Sequence, residues 1–221
     1  MRLRIVIALI LTTLIIGGCG VSKGDNSNQS SGNNNQNEVK AKPNVEAFNN
    51  QFTEEFLTST EPVREGYYLL KAKSGAFTLD FPEDMIIDET RYNIGPEDRS
   101  EVIPFYHPED KDLVADVIVE YYSFVVSEES SKDSLSNRFG EELEFETLET
   151  SVKGQYTEFA ETDDGVLGLI WNDNSQQIQF YSLWNCIDGL NEEQCSELKD
   201  SEKEKLKSII KSIKLSESKS G

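Results

Sequence analysis

Apolar residues in this chain recur at two different spacings, and the first spacing indicates a helix. Five apolar side chains are separated by three or four positions, which places them on one helix face: Val45, Phe48, Phe52, Phe56 and Leu57. Pro43 precedes them, and proline suits the first turn of a helix because its missing N–H would have no partner there. The pattern therefore predicts an amphipathic helix at the start of the folded region.

The second spacing is the alternation of a β-strand. Residues 67–82 contain two apolar runs joined by Lys73-Ser74-Gly75, and Gly75 can supply the positive φ that a tight hairpin turn requires. Residues 113–124 have the strongest strand pattern in the chain, which predicts a central strand. Further strands are predicted at residues 102–106, 144–152, 155–162, 166–171 and 177–184.

Two more helices are predicted in the second half of the chain. A short one covers residues 134–143, and a longer one begins at Ser201, where Glu204 three positions later completes a capping-box sequence. Its apolar stripe is Leu206, Ile209, Ile210 and Ile213. Neighbouring strands linked by turns, with helices at both ends, predict an α+β fold: a mostly antiparallel sheet flanked by helices.

The N-terminal segment has the layout of an export signal. Arg2 and Arg4 precede an apolar run at residues 5–16, and Gly17-Gly18-Cys19 follows. This ending resembles the lipobox of bacterial lipoproteins, in which the cysteine thiol receives a diacylglyceryl group and the preceding peptide is removed. The alternatives are an ordinary signal peptide or a membrane-spanning helix, but the run is short for a hydrocarbon core of ~30 Å. We expect a signal peptide at residues 1–18 and lipidation of Cys19.

Composition divides the remaining chain into three parts. Residues 19–43 are rich in Asn, Ser, Gly and Gln, and they contain too few apolar side chains to offset the entropy of ordering. We therefore expect a disordered tether there, a single globular domain at 44–216 and a disordered tail at 217–221. A tether of this kind holds the domain away from the membrane, and its composition is typical of a Gram-positive bacterium.

The net charge of the chain is −20. Such a charge repels phosphate backbones and anionic lipid head groups, which argues against nucleic-acid binding. It serves solubility, and it also permits attraction to a cationic partner.

Two cysteines remain besides Cys19, and they lie close together as Cys186 and Cys195. In an exported protein such a pair predicts a disulfide. Free thiols and a metal site are the alternatives, although no third thiol or histidine is near in sequence.

No residue pattern indicates a known type of catalysis. His107 is the only histidine, and no GxSxG motif accompanies it, so we expect a loop or strand-end residue rather than a member of a catalytic triad. Asp163-Asp164 and the segment 188–193 offer oxygen atoms for calcium, but neither has EF-hand spacing. We expect no metal site and no cofactor.

The aromatic residues are the remaining candidates for ligand binding. Most are expected in the core, and adjacent ones such as Tyr121 and Tyr122 must point to opposite faces of a sheet. If helices cover one face of the sheet, the other face is the expected binding surface. The candidates are Tyr67, Tyr68, Tyr92, Tyr106, Tyr121, Tyr122, Tyr156, Tyr181, Trp171 and Trp184.

Both ends of the predicted domain resemble a known group of proteins. The sequence GYYLLKAKSGAFTLDFPEDM at residues 66–85 is similar to the opening hairpin of PsbP/Mog1/DcrB-like domains, and KEKLKSIIKSIKL at 203–215 is similar to their closing helix and short strand. The resemblance implies an α-β-α sandwich around a mostly antiparallel sheet. The group contains accessory and binding proteins without a shared catalytic motif, so it assigns no functional residue here.

Taken together, these features predict a lipid-anchored, extracytoplasmic, non-enzymatic binding or accessory protein at the cell membrane, and a monomer. The alternative is a cell-surface hydrolase that uses acidic residues, with or without the help of calcium.

Overall fold

A computed structural model describes residues 42–108, 111–124 and 127–216. Within these ranges the helices are α1 (Glu46–Asn49), α2 (Gln51–Glu54), α3 (Glu128–Phe139) and α4 (Glu192–Ser212). The strands are β1 (Tyr67–Lys71), β2 (Phe77–Pro82), β3 (Ile86–Ile87), β4 (Asn93–Ile94), β5 (Ser100–Tyr106), β6 (Leu113–Tyr122), β7 (Glu146–Thr147), β8 (Gln155–Thr162), β9 (Gly165–Asn172), β10 (Gln177–Cys186) and β11 (Lys214–Leu215).

The strands form two antiparallel sheets. The larger has the order β3-β5-β6-β10-β9-β8-β7, and β4 also pairs with β5. The smaller has the order β1-β2-β11, so the predicted hairpin belongs to a sheet of its own. β6 is bonded to β5 on one side and to β10 on the other, which confirms the predicted central strand. The α+β class with mostly antiparallel pairing is likewise confirmed.

The main core lies between the large sheet on one side and α4 with the small sheet on the other. Phe81 of β2 meets Phe105 of β5 with ring centroids 5.2 Å apart. The α4 stripe packs into the same cluster, and Gly168 of β9 lets the helix approach closely, because a Cβ there would lie 3.0 Å from Ile210. The opposite face of the sheet carries α3, whose Leu135 packs on Leu167 and its neighbours. The layers are therefore helix, sheet, and helix with small sheet.

The predicted N-terminal helix is interrupted at Asn50. This residue has an extended backbone (φ −94°, ψ 116°), and its side chain accepts a hydrogen bond from Thr53 N to cap α2. Asparagine favours such caps over helix interiors, so the continuous helix was a wrong prediction. Phe48 and Phe56 are still buried. Ala47 N donates to Glu83 O, which joins this segment to the turn after β2.

Both later helices begin earlier than predicted. α3 starts after Ser127, whose hydroxyl accepts from Ser130 N, and it ends at Gly140 in the left-handed conformation. α4 starts after Asn191, where a capping box with Gln194 forms. Ser201, the predicted cap, therefore lies inside the helix. At Asn191 both halves of the capping box are formed, since its side chain accepts from Gln194 N and its N–H donates to the Gln194 side chain.

The strand predicted at residues 144–152 is reduced to the two residues of β7. Its position at the sheet edge gives it one partner only, and Leu148 N continues the pairing to Thr157 O. The other strand predictions agree with the structure within two residues at each end. In the described ranges, none of the helices has the length and apolar character needed to cross a bilayer.

The predictions for residues 1–18, for Cys19, for the tether up to residue 41 and for the tail at 217–221 lie outside the described residues.

Candidate binding groove on the open sheet face

One end of the face that carries α3 is left uncovered by the helix. Three aliphatic side chains are exposed there: Leu183 by 47%, Ile187 by 46% and Val114 by 40%. Leu183 of β10 pairs with Asp116 of β6 on one side. On the other side it pairs with Gly165 of β9, which has no side chain to cover it.

Glycine is required at position 165 by close backbone packing. A Cβ at this position would lie 1.8 Å from Ser182 O. The flank of Leu183 is therefore open because the neighbouring strand cannot carry a side chain there.

Beside Leu183 lies a groove of about 540 Å³, which we call the Leu183 groove. One wall is the C-terminal end of α3, and the other is the turn between β8 and β9. The floor is formed by Tyr181 and Leu183. The groove is lined by Arg138, Phe139, Gly140, Glu141, Thr162, Asp163, Asp164, Tyr181 and Leu183.

Glu120 is the hydrogen-bond centre beneath this groove. Its carboxylate accepts from Tyr181 OH at 2.7 Å and from Tyr122 OH at 2.9 Å, and Arg138 Nη1 lies 3.5 Å away. Burial and this carboxylate raise the pKa of Tyr122 to about 12, and the same causes raise the pKa of Tyr181. Both phenols therefore stay protonated, and the charge of Arg138 is balanced by Glu120.

The rim of the groove is acidic. Asp163 and Asp164 form the β8–β9 turn, where backbone contacts hold them: Asp163 O accepts from Lys199 Nζ, and Asp164 O accepts from Trp184 N. Glu141 follows the end of α3 on the opposite wall. Among the contacts of the described residues, none involves the carboxylates of these three acids. The rim thus presents three carboxylates around an apolar floor, with the Lys199 ammonium beside one of them.

The predicted aromatic candidates separate into core and surface residues. Tyr121 and Trp184 are buried, whereas Tyr181 and Tyr122 lie on the α3 face. Tyr156 is about half exposed and stacks on Trp171 at 5.5 Å between ring centroids. Away from this face, Tyr67 is covered by the Arg64 guanidinium and Tyr92 packs on Phe52 and Phe56. The structure thus brings Tyr181, of all these candidates, into the groove.

His107 lies directly after β5, as predicted, but it is buried in a charged cluster. Its Nε2 is 3.3 Å from Glu202 Oε1 and 3.4 Å from Lys205 Nζ, and its Nδ1 is 3.4 Å from Asp84 O. Burial alone would raise the pKa of Asp84, but Lys205 at 2.9 Å, together with His107 and Lys111, lowers it. The cluster connects the end of β5 with α4 and with the turn after β2.

The oxygen-rich segments considered for calcium border one cavity, which is lined by Asp163 together with Asn191 and Glu192. Asp163 and Asp164 are in the β8–β9 turn, whereas segment 188–193 ends in the cap and first turn of α4. Within the described ranges, no three His, Cys, Asp or Glu side chains are grouped so as to hold a metal ion.

Cys186 and Cys195 are joined by a disulfide. The bond connects the last residue of β10 to the first turns of α4. It therefore fixes the loop between these elements beside the open face.

Comparison with known proteins identifies a family and a relative. Residues 43–214 match the protein family described as "Putative lipoprotein YvcA". A relative of the same description from Bacillus subtilis (strain 168) is 28% identical over 163 residues, which is 71% of this chain and 64% of the relative. The matched region therefore spans less than two thirds of that relative's length.

Proposed function

Because this chain belongs to the family described as "Putative lipoprotein YvcA", we propose that a diacylglyceryl group on Cys19 anchors it to the outer face of the cell membrane. The lipobox-like sequence before Cys19 and the spacer after it support this proposal. So does the disulfide between Cys186 and Cys195, since disulfides persist in oxidising compartments. Two acyl chains give stable attachment where one would be marginal. The Bacillus relative agrees with a Gram-positive source.

The proposed role of the domain at 44–216 is non-enzymatic binding, by a monomer that acts as an accessory protein. The observation that carries this role is the Leu183 groove, where Leu183 is 47% exposed beside the partly buried rings of Phe139 and Tyr181. Exposed apolar surface that is bordered by polar residues commonly marks an interaction site. A central strand bonded along both edges holds Leu183 in place, so the surface is formed before a partner arrives. No observation on the described residues favours the hydrolase alternative.

The anchor is tested by intact mass of the full-length protein extracted from membranes. We expect a chain that starts at Cys19 and carries a diacylglyceryl group. We expect Cys19→Ala to be unlipidated. Secretion of an unmodified wild-type chain would contradict the anchor.

Binding is tested by placing a photoreactive residue at position 183 of the full-length protein in intact cells. Position 63 is the matched control, because Val63 is 49% exposed and lies outside the groove. We expect discrete cross-linked products from position 183 and none of the same mass from position 63. Identical products from both positions, or none from position 183, would contradict a binding role for the groove.

A further inference from the structure

We propose that the occupant of the Leu183 groove is a positively charged polypeptide segment of a partner protein, with lysine or arginine beside an aliphatic or aromatic side chain. This inference rests on the proposed binding function and specifies the chemistry of the partner. The apolar side chain packs on Leu183 and Tyr181, and the basic side chains meet the acidic rim.

The charges of the groove favour a cation. Glu141, Asp163 and Asp164 have no partner among the described residues for their carboxylates. Arg138 in the lining is 3.5 Å from Glu120, and its guanidinium lies 4.5 Å from the centre of the Tyr181 ring. Lys199 Nζ is 3.1 Å from Asp163 O. These two positive charges are outnumbered by Glu120 and the three rim carboxylates. The local charge therefore has the same sign as the net charge of −20, and the two together steer basic partners toward this face.

The apolar floor restricts the occupant further. Leu183 is about half exposed, and Tyr181 and Phe139 are half-buried beside it. A groove of about 540 Å³ lies within the range of ~300–1,000 Å³ that holds small ligands, so it has room for a few side chains of a peptide. A purely hydrophilic cation would leave this floor in contact with water. A peptide with an apolar side chain next to a basic one contacts both the apolar floor and the acidic rim.

Other classes of occupant fit less well. Nucleic acids and anionic lipids carry phosphates that the rim repels. A second copy of this chain that bound through the same surface would bring two sets of three carboxylates together, since a two-fold interface pairs identical patches. A basic segment of a different protein meets neither obstacle.

The test uses the full-length lipoprotein in detergent micelles and a fluorescent peptide of alternating lysine and leucine. Two further peptides serve as probes of chemistry: glutamate alternating with leucine, and lysine alternating with serine. Fluorescence anisotropy measures binding at physiological salt. We expect the lysine–leucine peptide to bind most tightly, at least about fivefold better than lysine–serine. We expect no binding of the glutamate–leucine peptide.

Variants then locate the site. The triple variant Glu141→Gln, Asp163→Asn, Asp164→Asn removes the rim charges. Its charge-matched control replaces three exposed acids away from the groove: Glu65→Gln, Glu89→Gln and Glu149→Gln. We expect the rim variant to weaken binding about tenfold and the control less than about twofold, because only the former contacts the peptide. Leu183→Ser should weaken binding about fivefold, and Val63→Ser should leave it unchanged.

These experiments test the inference of a basic partner separately from the proposed binding function. Equal weakening by the two triple variants would show a diffuse attraction and overturn the inference, as would failure of the lysine–leucine peptide to bind. Cross-linking from position 183 that persists in the rim variant would also overturn the inference while leaving the binding function in place. Thermal unfolding of each variant verifies that the fold is retained. If the triple variant is unstable, the single variant Asp163→Asn, at an exposed turn, replaces it in the binding measurement.

Discussion

Replacement of Glu101 tests how the fold positions the hairpin turn. This carboxylate is fully buried in β5, with 0% exposure. Its oxygens accept from Lys73 N and Ser74 N, both at 2.9 Å, and from Tyr92 OH at 3.0 Å. One side chain of the large sheet thus pairs two backbone donors of the small sheet. We expect Glu101→Gln to destabilise the protein, because its amide group would turn one acceptor into a donor that faces another donor.

The magnitude follows from the number of bonds affected. A hydrogen bond to a charged group contributes about 1.5–3 kcal/mol, and an unpaired buried donor costs about 1–3 kcal/mol. Glu101→Gln loses one bond and weakens two, so we expect a loss of about 2–3 kcal/mol in the free energy of unfolding. Glu101→Ala loses all three bonds and should cost about 3–5 kcal/mol. Tyr92→Phe removes one hydrogen bond to the Glu101 carboxylate and should cost about 1.5–2 kcal/mol, at the low end of the range for a charged group, because the carboxylate keeps its two backbone donors.

Urea unfolding measures these differences, and amide hydrogen exchange at residues 73–75 gives the local effect. We expect faster exchange at Lys73 and Ser74 in Glu101→Gln and little change in Tyr92→Phe. For a domain of this size, 1 kcal/mol corresponds to about 2–4 °C in melting temperature, so the variants should be resolved by heating as well. The reasoning is refuted if Glu101→Gln is as stable as the wild type, or if exchange at these amides is unaltered.

Three further perturbations test other parts of the fold. The pKa of Asp84 is lowered from 3.8 in the folded protein, so its contribution to stability is present above pH 3.8 and is lost as the pH falls through the lower folded-state pKa. The free energy of unfolding of Asp84→Asn should therefore fall less steeply in acid than that of the wild type. An unchanged pH profile would argue against a stabilising role of the His107–Glu202–Lys205–Asp84 cluster. Reduction of the Cys186–Cys195 bond, or Cys186→Ser with Cys195→Ser, should cost roughly 2–3 kcal/mol in urea unfolding for a loop this short, and equal stability after reductant would show that the loop is held by other contacts. Gly168→Val should destabilise the protein by about 1–3 kcal/mol, because a Cβ there already meets Ile210 at 3.0 Å; a more stable variant in calorimetry would mean that α4 can move away freely.

The elements that could be predicted are the strands whose side chains alternate regularly between the two faces of the sheet. β6, β8 and β10 alternate between the core and the α3 face, so the period of two in the sequence is preserved in the burial of their side chains. Helix ends were harder, because several caps compete in an acidic, serine-rich sequence. At α4 the Asn191 cap is used and the Ser201 cap is not. At Asn50 a local hydrogen bond interrupts an apolar pattern that would otherwise continue.

The groove could not be predicted because it depends on which parts of the sheet α3 covers. Leu183 sits in an ordinary alternating strand, and its exposure arises from Gly165 on the neighbouring strand. The pairing of Tyr181 with Glu120 joins residues 61 positions apart in sequence. The signal available beforehand was weaker. Asp163 and Asp164 marked a turn, but the expectation of a binding face free of helices does not hold, because α3 and α4 pack on opposite faces of the sheet.

If Cys19 carries the proposed lipid anchor, the attachment of α1 and α2 determines how the domain responds to force. A force between the membrane and a partner bound in the groove would act on the domain at two places, the strand β10 and the N-terminal helices. At the groove the load reaches β10, which is bonded along both edges to β6 and β9 and must be sheared along its length. At the other end it would reach two four-residue helices. These are held by the bond from Ala47 N to Glu83 O, by the bond from Ile87 N to Thr53 Oγ1 and by the burial of Phe48 and Phe56. Short helices lose their contacts one at a time, whereas β10 must lose its bonds along both edges together. Under the proposed anchoring, α1 and α2 should therefore detach before the strands of the groove separate.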